Sequence, residues 1–354
     1  MQRVAPGDAA PDSVIRGRLT AELDNPRSPV RRFLDERFTA GLRGAQRLYR
    51  ESAPAALLVP SEGANPGTVG TAADWLLRFL VSPSPDIHLV ARGVAAFARA
   101  QFDYSVAVSE IAETLGVVIP SRLADPGSGF EGPTQGNQAD PEYLARACWA
   151  FALITEAYRA GPKVVGYGGP PLTARWVLSI APQEALAELA RFRRVFETTL
   201  IPALASWRGR WELGPTFGGS SLIPADADLI AAGLLLDLKT GRSRPALNIV
   251  DALQLIGYTL LDFEDEFAIR AVGIFSARYG YLRTWPLDEY LARLADHPID
   301  LPATRAAFRE MLLAAQPHRG SGIARHAGSA ADVPLSDAGS RCDPGEETDH
   351  REDR

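Results

Sequence analysis

The stretch Ser220–Tyr258, SSLIPADADLIAAGLLLDLKTGRSRPALNIVDALQLIGY, decides the fold. Two runs of strand length, ADADLI and LLLDLKT, flank Ala232-Gly233, and the pattern over 246–262 reads as a helix. If Ala232 and Gly233 make a two-residue turn, Asp228 falls opposite Asp237, and Asp226 opposite Lys239. Directly paired residues share a face with Cβ atoms about 4.5–5.5 Å apart, so two carboxylates meet there. Lys239 lies two residues further along that face, while Leu229, Leu236 and Leu238 point the other way, ready to pack on a helix. Ala-Gly is not the preferred pair for such a turn, so a one-residue shift stays open.

Two carboxylates this close repel each other unless a cation sits between them or one is protonated. Oxygen ligands at this spacing suit a hard cation, Mg²⁺ or Mn²⁺, able to polarise a phosphodiester and lower the pKa of a bound water. Lys239 would orient that water or neutralise charge developing on phosphorane oxygens. Gln254 and Tyr258, four apart, share one face of the following helix, where they can bond a nucleic-acid backbone or position the lysine.

Composition narrows the classes. The chain has 354 residues, 46% hydrophobic and 23% charged, enough for a sizeable core. No apolar run reaches the roughly 18 residues of a membrane helix, and the N-terminus has no secretory h-region, so the chain reads as cytoplasmic. Two distant cysteines, Cys148 and Cys342, argue against a disulfide framework or a zinc site. Five histidines leave little for His-centred catalysis. Of 37 Lys and Arg residues only Lys163 and Lys239 are lysines, so a lysine in DLKT points to a site that wants a compact ammonium. A net charge of −6 disfavours binding nucleic acid by bulk charge but not through a local basic groove.

Along the chain, residues 1–27 read as a flexible arm and 28–207 as a mostly helical region that wraps or precedes the core. Within it fall a helix over 30–52 with an arginine face, another opening at Thr71 or Asp74, a loop over 120–140, a long helix from Pro141, a loop over 161–171 and a helix over 182–207. The character changes near Trp211. Strands are expected in AIRAVGIFSAR and YGYLRTW, helices in LDEYLARLA and from Ala303 to Ala314, and 317–354 reads as a disordered acidic tail.

Asp228, then Asp237-x-Lys239-Thr240, then Gln254-x-x-x-Tyr258 resembles the PD-(D/E)xK nuclease superfamily, in its RecB-type exonuclease branch. The resemblance implies a mixed α/β (α+β) fold with a restriction-endonuclease-like αβββαβ core over 208–316. It also implies that Asp228, Asp237 and the Leu238 backbone carbonyl hold Mg²⁺ or Mn²⁺, and that Lys239 serves the attacking water. Such nucleases carry an upstream acid or histidine on a helix, often after Gly-x-x-x-His. Gly70-Thr71-Ala72-Ala73-Asp74 is similar with aspartate in that place, and Glu156, Glu188 and Glu197 are rivals, Asp74 and Glu156 being favoured.

The expectation is a Mg²⁺-dependent nuclease hydrolysing DNA, in repair, recombination or defence, with no Walker A motif, so that any helicase or ATPase motor is a separate chain. A partner protein is the other expected contact. The alternative is a catalytically inactive nuclease-fold binding or scaffold protein.

Overall fold

Ala232 (φ 47°) and Gly233 (φ 85°) both take positive φ and close the hairpin in two residues. A non-glycine residue there costs about 1 kcal/mol, yet the one-residue shift does not occur. The ladder pairs Leu229 with Leu236, Ile230 with Leu235 and Ala231 with Leu234, because a slip would turn every leucine to the wrong face. The computed structural model describes residues 14–100, 102–119, 129–161 and 172–316.

Helices α1 (Leu19–Asp24), α2 (Pro29–Phe38), α3 (Leu42–Ser52), α4 (Pro66–Val81), α5 (His88–Arg99) and α6 (Ser105–Leu115) come first. They are followed by α7 (Pro141–Ala160), α8 (Ala174–Ser179), α9 (Gln183–Val195), α10 (Ile201–Leu204), α11 (Ile249–Leu261), α12 (Leu287–Ala295) and α13 (Leu301–Ala314). Starts are written in the sequence: Ser28-Pro29, Asn65-Pro66 and Asp140-Pro141 each pair an N-cap side chain that accepts backbone N–H bonds with proline at the first helical position.

Strands β1 (Phe130–Gly132), β2 (Gly209–Leu213), β3 (Leu229–Ala231), β4 (Leu234–Lys239), β5 (Ala271–Ser276) and β6 (Tyr281–Pro286) lie in that order in one six-stranded sheet. Only β4 and β5 run parallel, and α11 provides the crossover that parallel neighbours require. Alternation along the strands builds two cores. Leu229, Leu234, Leu236 and Phe275 pack towards α4, α5, α7 and α9. Ile230, Leu235, Val272 and Ile274 pack towards α1, α2, α11, α12 and α13. The fold is therefore mixed α/β, with helices on both faces of a mixed sheet.

Several expectations are corrected. Residues 14–27 are not a loose arm: Leu19 and Leu23, one helical turn apart, are fully buried, with Leu19 against Gly257 of α11. The helix over 30–52 is two helices, since the backbone at Gly41 runs against α12, where its N–H meets the Leu294 carbonyl at 2.9 Å. The loop over 120–140 contains β1, an edge strand on β2. The helix over 182–207 widens into a π turn at Phe196–Leu200, just before Pro202, which has no N–H to donate. Residues 1–13, 120–128, 162–171 and the tail over 317–354 lie outside the described residues.

Candidate active site

Helix α4 crosses the ends of three strands, one helical turn per strand. A Cβ on Gly70 would stand 2.8 Å from Thr240 Oγ1, at the exit of β4. Asp74, one turn on, exerts the strongest charge effect on Asp228, which precedes β3. Arg78, one turn further, lies against Gly214 at the exit of β2, where a Cβ would meet its Nη1. Four helical residues rise about 6 Å and neighbouring strands lie about 4.8 Å apart, so Gly-x-x-x-Asp-x-x-x-Arg matches the spacing it spans.

Beneath this helix, the register brings the motif together. Asp228 Oδ2 accepts a 2.6 Å hydrogen bond from the Leu238 N–H. In extended backbone the N–H and C=O of one residue point to the same edge, so the Leu238 carbonyl shares the edge on which Asp228 lies. Lys239 Nζ sits 2.9 Å from Asp237 Oδ2 and 2.8 Å from Asp251 Oδ1, and donates to Gln254 Oε1 at 2.9 Å. Gln254 Nε2 donates to Tyr258 Oη at 2.7 Å, and Tyr258 Oη donates to the Asp226 carbonyl at 2.9 Å. The Gln-x-x-x-Tyr face thus fixes the lysine and ties it to the segment that carries Asp228. Both side chains are buried. Asp226 does not face Lys239: it bridges to Thr216, continuing the β2 ladder, and holds Arg18 and Arg159.

The electrostatics follow from burial and this crowding. Burial, then the charges of Asp74 and Asp237, push the Asp228 carboxyl well above the ordinary carboxylate range, against the pull of the Leu238 N–H and Lys239. Burial also raises Asp237; Lys239 opposes the rise, and Asp251 and Asp74 add to it. Burial works to lower the Lys239 ammonium, but Asp237 and Asp251 outweigh it and hold its pKa above the ordinary value. The lysine is therefore a fixed cation and not a proton acceptor near neutral pH.

The residues fit a hard divalent cation. Asp74 Oδ1 and Asp237 Oδ2 are buried without a hydrogen-bond partner; Asp237 Oδ2 has Lys239 at ion-pair distance but not in hydrogen-bond alignment. Among the described residues, the ion pairs of Asp74, Asp226, Asp237 and Asp251 are with Arg18, Arg78, Arg159 and Lys239; Asp228 has no ion pair, so the five carboxylates exceed these four cations by one when all are ionised. Among the described residues no three His, Cys, Asp or Glu side chains converge closely enough to enclose a metal unaided. Mg²⁺ commonly takes one or two carboxylates and fills its remaining positions with waters and substrate phosphate, so a set of Asp228, Asp237 and the Leu238 carbonyl would need water or phosphate to complete it.

The rival acids separate cleanly. Asp74 reaches the pair electrostatically, although Arg78 holds its Oδ2 at 2.7 Å. Glu156 lies at the start of α4, against Thr68 Oγ1 at 3.3 Å. Glu188 is buried against Arg278, and Glu197 pairs with Arg193 on the surface, so neither serves the site. Sequence reasoning missed Asp251, although Asn248-x-x-Asp251 is a helix-start pattern in which Asn248 Oδ1 accepts the Asp251 N–H. It also missed Arg78, legible as the i+4 partner of Asp74. Arg18 and Arg159 carry no local signal, since they reach Asp226 from distant segments. No protein-family model, curated protein or solved structure matches the chain.

Proposed function

We infer that the chain is a Mg²⁺- or Mn²⁺-dependent nuclease that hydrolyses DNA phosphodiesters at Asp228, Asp237 and Lys239. The observation that carries this reading is the buried carboxylate pair beside a lysine whose ammonium is bound by Asp237, Asp251 and Gln254. Such an arrangement is costly to fold. Two carboxylates with raised pKa values, kept together out of water, are an electrostatic liability that a structural role does not explain. The order β2–β3–β4–α11–β5, with the last strand parallel to β4, also agrees with the βββαβ order that the PD-(D/E)xK resemblance implies.

When bound, Mg²⁺ or Mn²⁺ supplies the charge that polarises a phosphodiester and lowers the pKa of water. Asp228 and Asp237 would hold it with the Leu238 carbonyl, and the unpartnered Oδ1 of Asp74 would be a further oxygen available to it. Lys239, kept charged by its acidic neighbours, places a compact cation where negative charge grows on the phosphate oxygens. Gln254 and Tyr258 keep that ammonium in place and leave its charge intact.

The second reading, a nuclease-fold binding or scaffold protein, draws on one observation. Lys239 already donates to Gln254 and has Asp237 and Asp251 at ion-pair distance, so a substrate phosphate would have to compete with both carboxylates for its ammonium. One experiment separates the two: linear and circular DNA are incubated with wild type and Lys239→Ala, in Mg²⁺, Mn²⁺ or EDTA. Metal-dependent cutting that the variant lacks supports the nuclease. Binding of DNA by folded wild type without cutting under any condition supports the scaffold.

A further inference from the structure

A cleft of about 270 Å³ opens where the segment around α1, the end of α7 and α11 meet. Asp228, Gln254 and Tyr258 are among its lining residues, so the cleft reaches Asp228 of the carboxylate pair. Arg18 and Arg159 form its lip, with side chains 26% and 28% exposed. Both are tethered to Asp226, which is itself only 8% exposed; Arg159 Nη2 meets it at 2.6 Å.

The tether leaves capacity to spare. A guanidinium presents five N–H donors, and Asp226 takes one nitrogen from each arginine. The guanidinium carbons of Arg18 and Arg92 lie 5.6 and 5.4 Å from the centroid of the Tyr158 ring. Arg92 Nη1 also donates to Tyr158 Oη at 2.9 Å. Pre-oriented guanidiniums beside an aromatic ring, next to a centre that takes a phosphodiester, are suited to a phosphate on a single strand.

We propose that Arg18 and Arg159 form a phosphate-binding subsite that seats a nucleic-acid phosphate beside the carboxylate pair, with Asp226 holding both guanidiniums in position. The ligand class rests on the nuclease reading of the pair; the binding itself does not require hydrolysis. The phosphate is either a terminal monoester or an internal diester of the strand.

The test is fluorescence anisotropy with labelled single-stranded oligonucleotides ending in a 5′-phosphate, a 3′-phosphate or hydroxyls only. Ca²⁺ replaces Mg²⁺ so that the strands survive. Arg18→Gln and Arg159→Gln should each weaken binding about tenfold. Each should also reduce the slope of log Kd against log salt by about 0.7, the value for one lost phosphate contact on a single strand. A wild-type preference for one phosphorylated end that disappears in both variants assigns a terminal monoester. Equal losses on all ends assign an internal diester. Unchanged affinity and slope in folded variants would overturn the subsite, as would failure of wild type to bind any oligonucleotide. If Arg159→Gln does not fold, Arg18→Gln and competition on wild type by inorganic phosphate at constant ionic strength decide. Phosphate that displaces the strand no better than chloride, with Arg18→Gln unchanged, overturns the proposal. Wild type that binds with these signatures but never cuts in Mg²⁺ would sink the nuclease reading alone.

Discussion

The backbone of Gly70 passes so close to Thr240 that a Cβ on it would stand 2.8 Å from the threonine Oγ1. This approach sets the height of α4 above the strand ends, and with it the position of Asp74 over Asp228. Gly70→Val should cost about 1–2 kcal/mol through overpacking. Cleavage should fall about tenfold as Asp74 is lifted away, and Thr240→Ala in the same chain should restore part of both losses. Urea denaturation and cleavage rates over the double-mutant cycle check this. Strictly additive losses would mean that the close approach does not place the helix.

Asp228 should be a site where function costs stability. Its folded-state pKa is raised well above the ordinary value, so its contribution to stability is fully present below the unfolded pKa and is lost as pH rises through the folded pKa. Asp228→Asn keeps an oxygen able to accept the Leu238 N–H while removing the charge. The variant should match wild type in acid and become more stable than it towards neutral pH, by about 1–2 kcal/mol. Thermal melts from roughly pH 4 to 8 measure the gap. Added Mg²⁺ should raise the melting temperature of wild type and not that of Asp228→Asn. A gap that is independent of pH would refute the raised pKa.

Glu188 has a structural task. It receives Arg278 Nη2 at 2.5 Å with both side chains essentially inaccessible, and Arg278 in turn donates to the carbonyls of Thr240 and Val59. Glu188→Gln leaves a buried guanidinium without its counter-charge and should destabilise by about 3–5 kcal/mol. Because Glu188 is committed to Arg278, an increase in melting temperature with Mg²⁺ in wild type should persist in the variant. Its disappearance in folded Glu188→Gln would return this residue to the ligand set.

Much of the centre was legible because a two-residue turn converts local sequence into geometry. Once Ala232-Gly233 turns, the leucines at 229, 234 and 236 select the register, and the residue before Leu229, Asp228, is carried to the Leu238 N–H of the facing strand. Helical spacing gives the Gln254–Tyr258 pair; that Gln254 accepts from Lys239 and not from a substrate is one of two readings that spacing leaves open. Extrapolation failed at Asp226, because β3 leaves β4 at Asp228 while its pairing with β2 continues to Thr216. The arginines of the lip were invisible for a different reason: ion pairs between distant segments leave no period in the sequence. α1 was hidden by its Pro- and Asp-rich surroundings, although Leu19 and Leu23 are spaced as a buried helical pair.

Tyr258 offers the sharpest distinction between positioning and substrate contact. Its hydroxyl accepts from Gln254 Nε2 and donates to the Asp226 carbonyl, in a side chain only 4% exposed. Burial, then Asp237, Asp226 and Asp228, push its pKa well above the ordinary phenol value, so it stays a neutral donor throughout the working pH range. Tyr258→Phe removes both bonds and should cost about 1–3 kcal/mol, since the Gln254 amide and the Asp226 carbonyl lose a buried partner. Lys239 keeps its charge and its ion pairs with Asp237 and Asp251, but the Gln254 amide whose oxygen accepts from it is free to rotate. If the hydroxyl acts only through the lysine, kcat should fall several-fold, by about 1 kcal/mol in barrier height, with KM and the pH profile unchanged. A raised KM with kcat preserved would instead mean that Tyr258 touches the strand from the wall of the cleft.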